Sequence, residues 1–209
     1  MKKQTLWLEL LLVYIIPPLL FISGLLPSSA LMPVLWLLTF YAFIHLKNTK
    51  TRLLAFNFKK EDLFFVLLRF AFIAGAMILF VLLYKPDIFL ILVKTKPLFW
   101  LGLIFLYPVL SAYLQEILFR AFFFKRYKKL FNNRPLNLIF LNALIFSYIH
   151  IVFLNWIAVL FTFIGGLLFA HTYLKTRSIL LVSIEHSLYG NALYTIGLGY
   201  YFYHGGFNV

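Results

Sequence analysis

The sequence predicts an all-α membrane protein, a polytopic helical bundle with about seven transmembrane helices. Three observations lead there. Of 209 residues, 64% are hydrophobic and 12% are charged, against roughly 45–50% and about 25% in an ordinary soluble domain. A soluble globule of this size has too little interior to hide so much apolar surface. The apolar residues also gather in runs close to the ~20 residues that cross a hydrocarbon core, where helices satisfy their backbone hydrogen bonds within one segment. This composition excludes a soluble enzyme, a disordered tail and a disulfide-rich secreted module. With no cysteine, thiolate chemistry and a cysteine-based zinc site are excluded as well.

Spans are expected near 6–26, 31–46, 63–84, 98–122, 136–153, 157–174 and 178–198, making a single domain over residues 1–209. The first run is long enough to cross, and Pro27-Ser28-Ser29 after it reads as a turn rather than a signal-peptide cleavage site. Pro17-Pro18 removes two backbone donors and should kink or break that helix. The second span is short and should tilt little. Ile88 to Val93 is apolar but too short to cross. Asn132, Asn133, Pro135 and Asn137 read as a loop entering a helix, which favours a fifth helix starting near Asn142 with 131–141 at the surface. Gly165-Gly166 and Ala71, Ala74 and Gly75 are expected where helices approach closely.

The chain carries 19 Lys and Arg against 6 Asp and Glu, a formal charge of +13. In a soluble protein that excess would suggest nucleic acid; here it fits cytoplasmic loops, and no nucleic-acid partner is expected. With a cytoplasmic N-terminus, Lys2, Lys3, Lys47, Lys50, Arg52, Lys59, Lys60, Lys125, Arg126, Lys128, Lys129, Arg134, Lys175 and Arg177 fall inside. Lys85, Lys94 and Lys96 fall outside, so the bias favours N-in and C-out, with Gly205 to Val209 outside. The basic, aromatic stretch 122–131 reads as an interfacial anchor beside anionic lipid. Glu9 and Arg69 lie close enough to span ends to snorkel, and His45, His171 and His204 should be interfacial.

An ionisable group in hydrocarbon costs about 2.5–3.5 kcal/mol on insertion scales, so such residues direct the search for function. The fourth span contains Gln115, Glu116 and Arg120, with Glu116 and Arg120 spaced i, i+4 to pair. In the fifth, Asn142, Phe146 and His150 share a face. The seventh holds Glu185, His186 and Asn191. A carboxylate, two imidazoles and a carboxamide on three helices are the parts needed to hydrolyse an amide. A carboxylate kept from bulk water can take a proton from a water molecule, and N–H groups can stabilise the resulting oxyanion.

Gln-Glu-Ile-Leu-Phe-Arg (115–120), Phe-Ser-Tyr-Ile-His (146–150) and Glu-His-Ser-Leu-Tyr-Gly-Asn (185–191) resemble, in that order, the three motifs of the CAAX-protease and bacteriocin-processing family of intramembrane endopeptidases: Glu-Glu-x-x-x-Arg, Phe-x-x-x-His and His-x-x-x-Asn/Asp. The likeness spans about residues 98–200. It implies glutamate-activated water attacking a peptide bond of a membrane-associated protein or peptide, in a protein integral to a prokaryotic cell membrane. By position, Glu116, His150, His186, Asn191 and Arg120 become the catalytic set, with Gln115, Phe146 and Glu185 in support. No cofactor is expected, although the family's metal dependence is debated and zinc stays open. Two departures stand out. Gln115 replaces the first glutamate and cannot act as a base, so that role is expected of Glu116. Asn191 lies at i+5 from His186, about 140° away on a regular helix; Gly190 holds the i+4 place and could permit a bulge that swings Asn191 round.

A zincin His-Glu-x-x-His and a Gly-x-Ser nucleophile are missing. Ser147 and Ser187 near the histidines do not by themselves make a dyad, and Asp62 and Asp87 sit at loop ends rather than in spans. The alternative from another class is a catalytically silent membrane scaffold on the same frame. A proton-relaying transporter would need polar residues along a path through both leaflets, and the first three spans are nearly free of them.

Overall fold

Two prolines and a glycine shape the first helix, α1 (Lys3–Ile22). Pro17 and Pro18 cannot donate to the carbonyls four residues back. The helix widens into a π turn at Leu11–Ile15 and resumes as α-helix from Ile16. It ends earlier than the expected residue 26, because Gly24 turns the chain through a left-handed φ of 75°. The computed structural model describes residues 3–47, 49, 51, 53–54, 56–131 and 135–202. Lys2, Lys50, Arg52, Asn132, Asn133, Arg134, His204 and the segment Gly205 to Val209 lie outside the described residues.

Helices α2 (Ser28–Lys47) and α3 (Lys60–Tyr84) follow. Asp62 starts α3 by accepting the Lys59 backbone N–H at 3.2 Å. Ile88 to Val93 falls in two short turns, Pro86–Ile88 and Ile91–Thr95, that do not cross. Helix α4 (Pro97–Phe131) runs nine residues past its expected end at 122. Helix α5 (Pro135–Phe153) begins at Pro135 rather than near Asn142, since a proline at the first helical position loses no intrahelical bond. A left-handed Leu154 and an Asn155 cap, accepting from Ala158 N at 2.8 Å, open α6 (Trp156–Thr176). Ser178 caps α7 (Ile179–Ile196) in the same way.

All described secondary structure is helical, and the chain is an integral membrane protein. Six helices, α1 to α6, are long and apolar enough to cross a membrane. The seventh expected span exists as the 18-residue α7; Glu185, His186 and Asn191 dilute its apolar character, and it is not among the six.

The buried centre is the second half of α4. Phe119, Phe122, Phe123 and Tyr127 are almost fully enclosed, and Tyr14 of α1 packs edge-on against Phe119 at 5.2 Å while donating to Leu118 O at 2.8 Å. Within the stretch expected as an interfacial anchor, Phe122, Phe123, Phe124 and Tyr127 are therefore core, while Lys125, Lys128 and Lys129 stay exposed. Its Arg126 is not held for lipid either: Nη2 bonds Glu9 Oε2 at 2.8 Å and Nε reaches both Glu9 oxygens at 3.0 Å. Tyr41 adds a donor to Glu9 at 3.1 Å, so Glu9 is buried and paired rather than snorkelling. Arg69 also turns inward, onto Glu185 and, at 2.7 Å, Thr172 Oγ1. In both cases a paired charge inside is cheaper than an unpaired one at the same depth. Gly166 makes the close approach expected of it, since a Cβ there would lie 2.9 Å from Ala143 Cα, whereas nothing stands within 4 Å of one on Gly75. Ala71 and Gly75 face outward instead, with Ala74 only half-buried.

Candidate functional site

Glu116 and Arg120 owe their placement to an irregular α4. Pro108 cannot donate to Ile104 O, and the helix relaxes into a π turn at Pro108–Ala112. A second π turn covers Ile117–Phe122. Such turns re-aim side chains and recur at functional sites. Between them lie Gln115 and Glu116.

Glu116 is fully buried. Its Oε1 lies 2.8 Å from His186 Nδ1 of α7. Arg120 Nε stands 3.1 Å from its Oε2, close enough for an ion pair though not aligned as a hydrogen bond. Arg120 is itself enclosed: Nη1 donates to Asn142 Oδ1 at 2.7 Å, and the guanidinium lies 4.8 Å from the Phe146 ring centre. Asn142 in turn donates to Phe119 O at 2.7 Å. Thus α4, α5 and α7 meet in one polar network inside an apolar bundle.

A nitrogen bonded to a carboxylate or a carbonyl must carry the proton. His186 therefore has its proton on Nδ1, toward Glu116. His150 has its proton on Nδ1 as well, donating to Phe146 O at 2.6 Å. In each neutral ring, Nε2 is left as an acceptor. Phe146 separates and fixes the two rings, 4.9 Å from His150 and 5.6 Å from His186. Phe169 of α6 stacks on His186 at 4.6 Å.

His150, His186, Gln115 and Phe146 line a cavity of about 470 Å³ that α3 and α6 wall with apolar side chains. The convergence does not need a late start to α5, because its last turn, Ile149–Phe153, tightens to 3-10 geometry beside the site. Glu116 is not among the lining residues; it stands one layer behind His186. Gln115 is at the wall, with Nε2 donating to Ser111 Oγ at 2.8 Å.

Two expected members are elsewhere. α7 stays α-helical through Gly190, with no bulge. Asn191 is left facing α4, where Nδ2 donates to Ile104 O at 3.2 Å. That carbonyl is the one deprived of its helical donor by Pro108, so Asn191 repairs a backbone defect instead of lining the cavity. Glu185 points away, bonded to Arg69 and, at 2.6 Å, to Thr172 Oγ1. The serines near the histidines are tied to backbone carbonyls, Ser147 to Val159 and Ser187 to Ser183, each at 2.6 Å.

Sequence reasoning missed Tyr107, Ser111 and Phe169, all of which line the cavity. Pro108, a proline well inside an apolar run, was the signal for the first two; nothing local marks Phe169. Among the described residues no three His, Cys, Asp or Glu side chains gather as a group that could hold a metal ion, and Glu116 is engaged by His186 and Arg120.

Against known proteins, no curated protein and no solved structure matches the chain. One family model does match, the type II CAAX prenyl endopeptidase Rce1-like family, over residues 97–192. That stretch begins with α4 and ends just past Asn191, taking in the whole polar network. Over residues 97–192 the chain is similar to the Rce1-like type II CAAX prenyl endopeptidases, a likeness that supports the resemblance to the CAAX-protease and bacteriocin-processing family whose motifs its sequence carries.

Proposed function

We propose that the protein is an intramembrane endopeptidase that hydrolyses a peptide bond of a membrane-associated protein or peptide with water activated by the Glu116–His186 pair. The observation that carries this reading is the 2.8 Å contact between Glu116 Oε1 and His186 Nδ1 at the back wall of an apolar cavity. Glu116 holds His186 in the tautomer whose Nε2 accepts a proton, and its charge stabilises the imidazolium that forms. The water oxygen attacks the carbonyl carbon while its proton passes to Nε2. That proton then goes to the amide nitrogen as the C–N bond breaks. His150 Nε2, a second acceptor on the cavity, orients the water. Arg120 pairs with Glu116 and holds it in register.

The sequence suggests Glu116 as the direct base; its burial behind His186 favours action through the ring instead. No step is routed through a metal. The positive-inside charge pattern supports a cytoplasmic N-terminus, with the loop after α2 on the same side.

The test compares membrane peptides from cells carrying the wild type and cells carrying Glu116→Gln, His150→Ala or His186→Ala. Each variant should accumulate the same uncut substrate while the protein stays folded. A glutamine at 116 would donate to Nδ1 and reverse the tautomer, so Glu116→Gln should lower the rate by about 10³–10⁴-fold. Processing that continues unchanged in all three stable variants would leave a silent scaffold.

A further inference from the structure

Neither histidine nor Asn191 offers a donor to the cavity. Both histidines have their Nδ1 protons engaged, His186 with Glu116 and His150 with Phe146 O. Asn191, the carboxamide expected to serve an oxyanion, is bonded to Ile104 O. A tetrahedral intermediate in a dry cavity needs at least one N–H or O–H aimed at its oxygen.

Gly190 directs attention to Tyr107. The glycine stands four residues after His186, on the same face of α7, where the resembled motif has asparagine. A Cβ on Gly190 would lie 2.2 Å from Tyr107 Cε1 and 2.4 Å from the Tyr107 hydroxyl oxygen. The tyrosine therefore fills the space of a side chain at 190. Its hydroxyl stands about as far from that Cβ position as the amide atoms of an asparagine stand from their own Cβ. The Tyr107 ring meets His186 edge-on at 6.0 Å, and both line the cavity. Among the described residues the Tyr107 hydroxyl has no hydrogen-bond partner. A second tyrosine, Tyr194, packs edge-on behind the ring at 5.6 Å. Pro108 and its π turn set the ring's direction from one side, and the absence of a side chain at Gly190 admits it from the other.

We propose that Tyr107 is a catalytic residue, its hydroxyl donating a hydrogen bond to the scissile carbonyl oxygen as the oxyanion forms, in the place a carboxamide at position 190 would serve. The hydroxyl keeps its proton throughout; the proton from water travels by way of His186. This proposal rests on the endopeptidase reading above.

The probe is the membrane peptide that accumulates uncut in cells carrying His186→Ala, synthesised across its cleavage site and assayed with purified protein in lipid nanodiscs. Tyr107→Phe keeps the ring and removes the donor. Its kcat should fall by about 10²–10³-fold, with KM and Tm unchanged. The double variant Tyr107→Ala, Gly190→Asn rebuilds the i+4 carboxamide and should cleave at least about tenfold faster than Tyr107→Ala alone, a rescue that loss of packing does not allow. A Tyr107→Phe enzyme at the wild-type rate, a change confined to KM, or a double variant no better than Tyr107→Ala would overturn the role of Tyr107 while the Glu116–His186 reading stands. If wild-type and His186→Ala cells show the same peptides, both readings fall together.

Discussion

At Asn191 chemistry and architecture pull apart. The motif makes it a member of the active site, yet its amide is the donor that Ile104 lost to Pro108. Asn191→Leu should therefore act on stability, lowering it by about 1 kcal/mol, and a thermal melt in detergent would read the loss. A drop in kcat of the size expected for Glu116→Gln, with the melt unchanged, would restore the catalytic assignment. Glu116 and His186 illustrate the converse. They lie 70 positions apart, and no spacing rule joins them; only the crossing of α4 and α7 brings Oε1 to Nδ1. Treatment with a chelator should leave peptide cleavage unchanged, and a loss of rate restored by added zinc would contradict the metal-free route.

Helices here are fastened to each other by buried charge at two levels. Arg126 and Glu9 join α4 to α1, with Tyr41 of α2 as a third partner. Arg69, Glu185 and Thr172 join α3, α7 and α6. Glu185 is fully enclosed, so removing its partner leaves a charge where water cannot reach it. Arg69→Met should destabilise the protein by about 3–5 kcal/mol. Adding Glu185→Gln should recover most of that loss in the same unfolding measurement, because the remaining group is neutral. Equal melting of the single and double variants would mean that the pair fixes geometry without carrying stability. The α5–α6 contact depends instead on bare backbone: Gly166→Leu would drive a side chain into Ala143 and separate the two helices. Its readout is loss of folded protein after extraction.

The assembled bundle turns many large apolar side chains outward, with Phe72, Phe105 and Leu83 well exposed, and encloses Glu116, Arg120, Asn142 and Glu185. Lipid replaces water as the outer solvent, which reverses the usual pattern. The proposed orientation is directly testable, because a chain without cysteine accepts single reporters cleanly. Lys47→Cys should react with a membrane-impermeant maleimide only from the cytoplasmic side, and Lys85→Cys only from the opposite side. The reverse pattern would invert the topology and place the site's two ends the other way.

Hydrophobic run length predicted the helices, and motif order predicted which three would share a site. Both follow from local composition: a run of apolar residues is helical in lipid wherever it packs, and Glu116 with Arg120 is set one turn apart by the helix itself. The ends of α4 and α5 were not legible, because the basic, aromatic stretch 122–131 suits an interface or the end of a packed helix until a neighbour such as Tyr14 or Glu9 chooses. Nor was the inward turn of Arg69, the layer that hides Glu116 behind His186, or the exchange of roles between Asn191 and Tyr107. These depend on distances between residues far apart in the chain, and a side chain's partner there is set by how two helices cross.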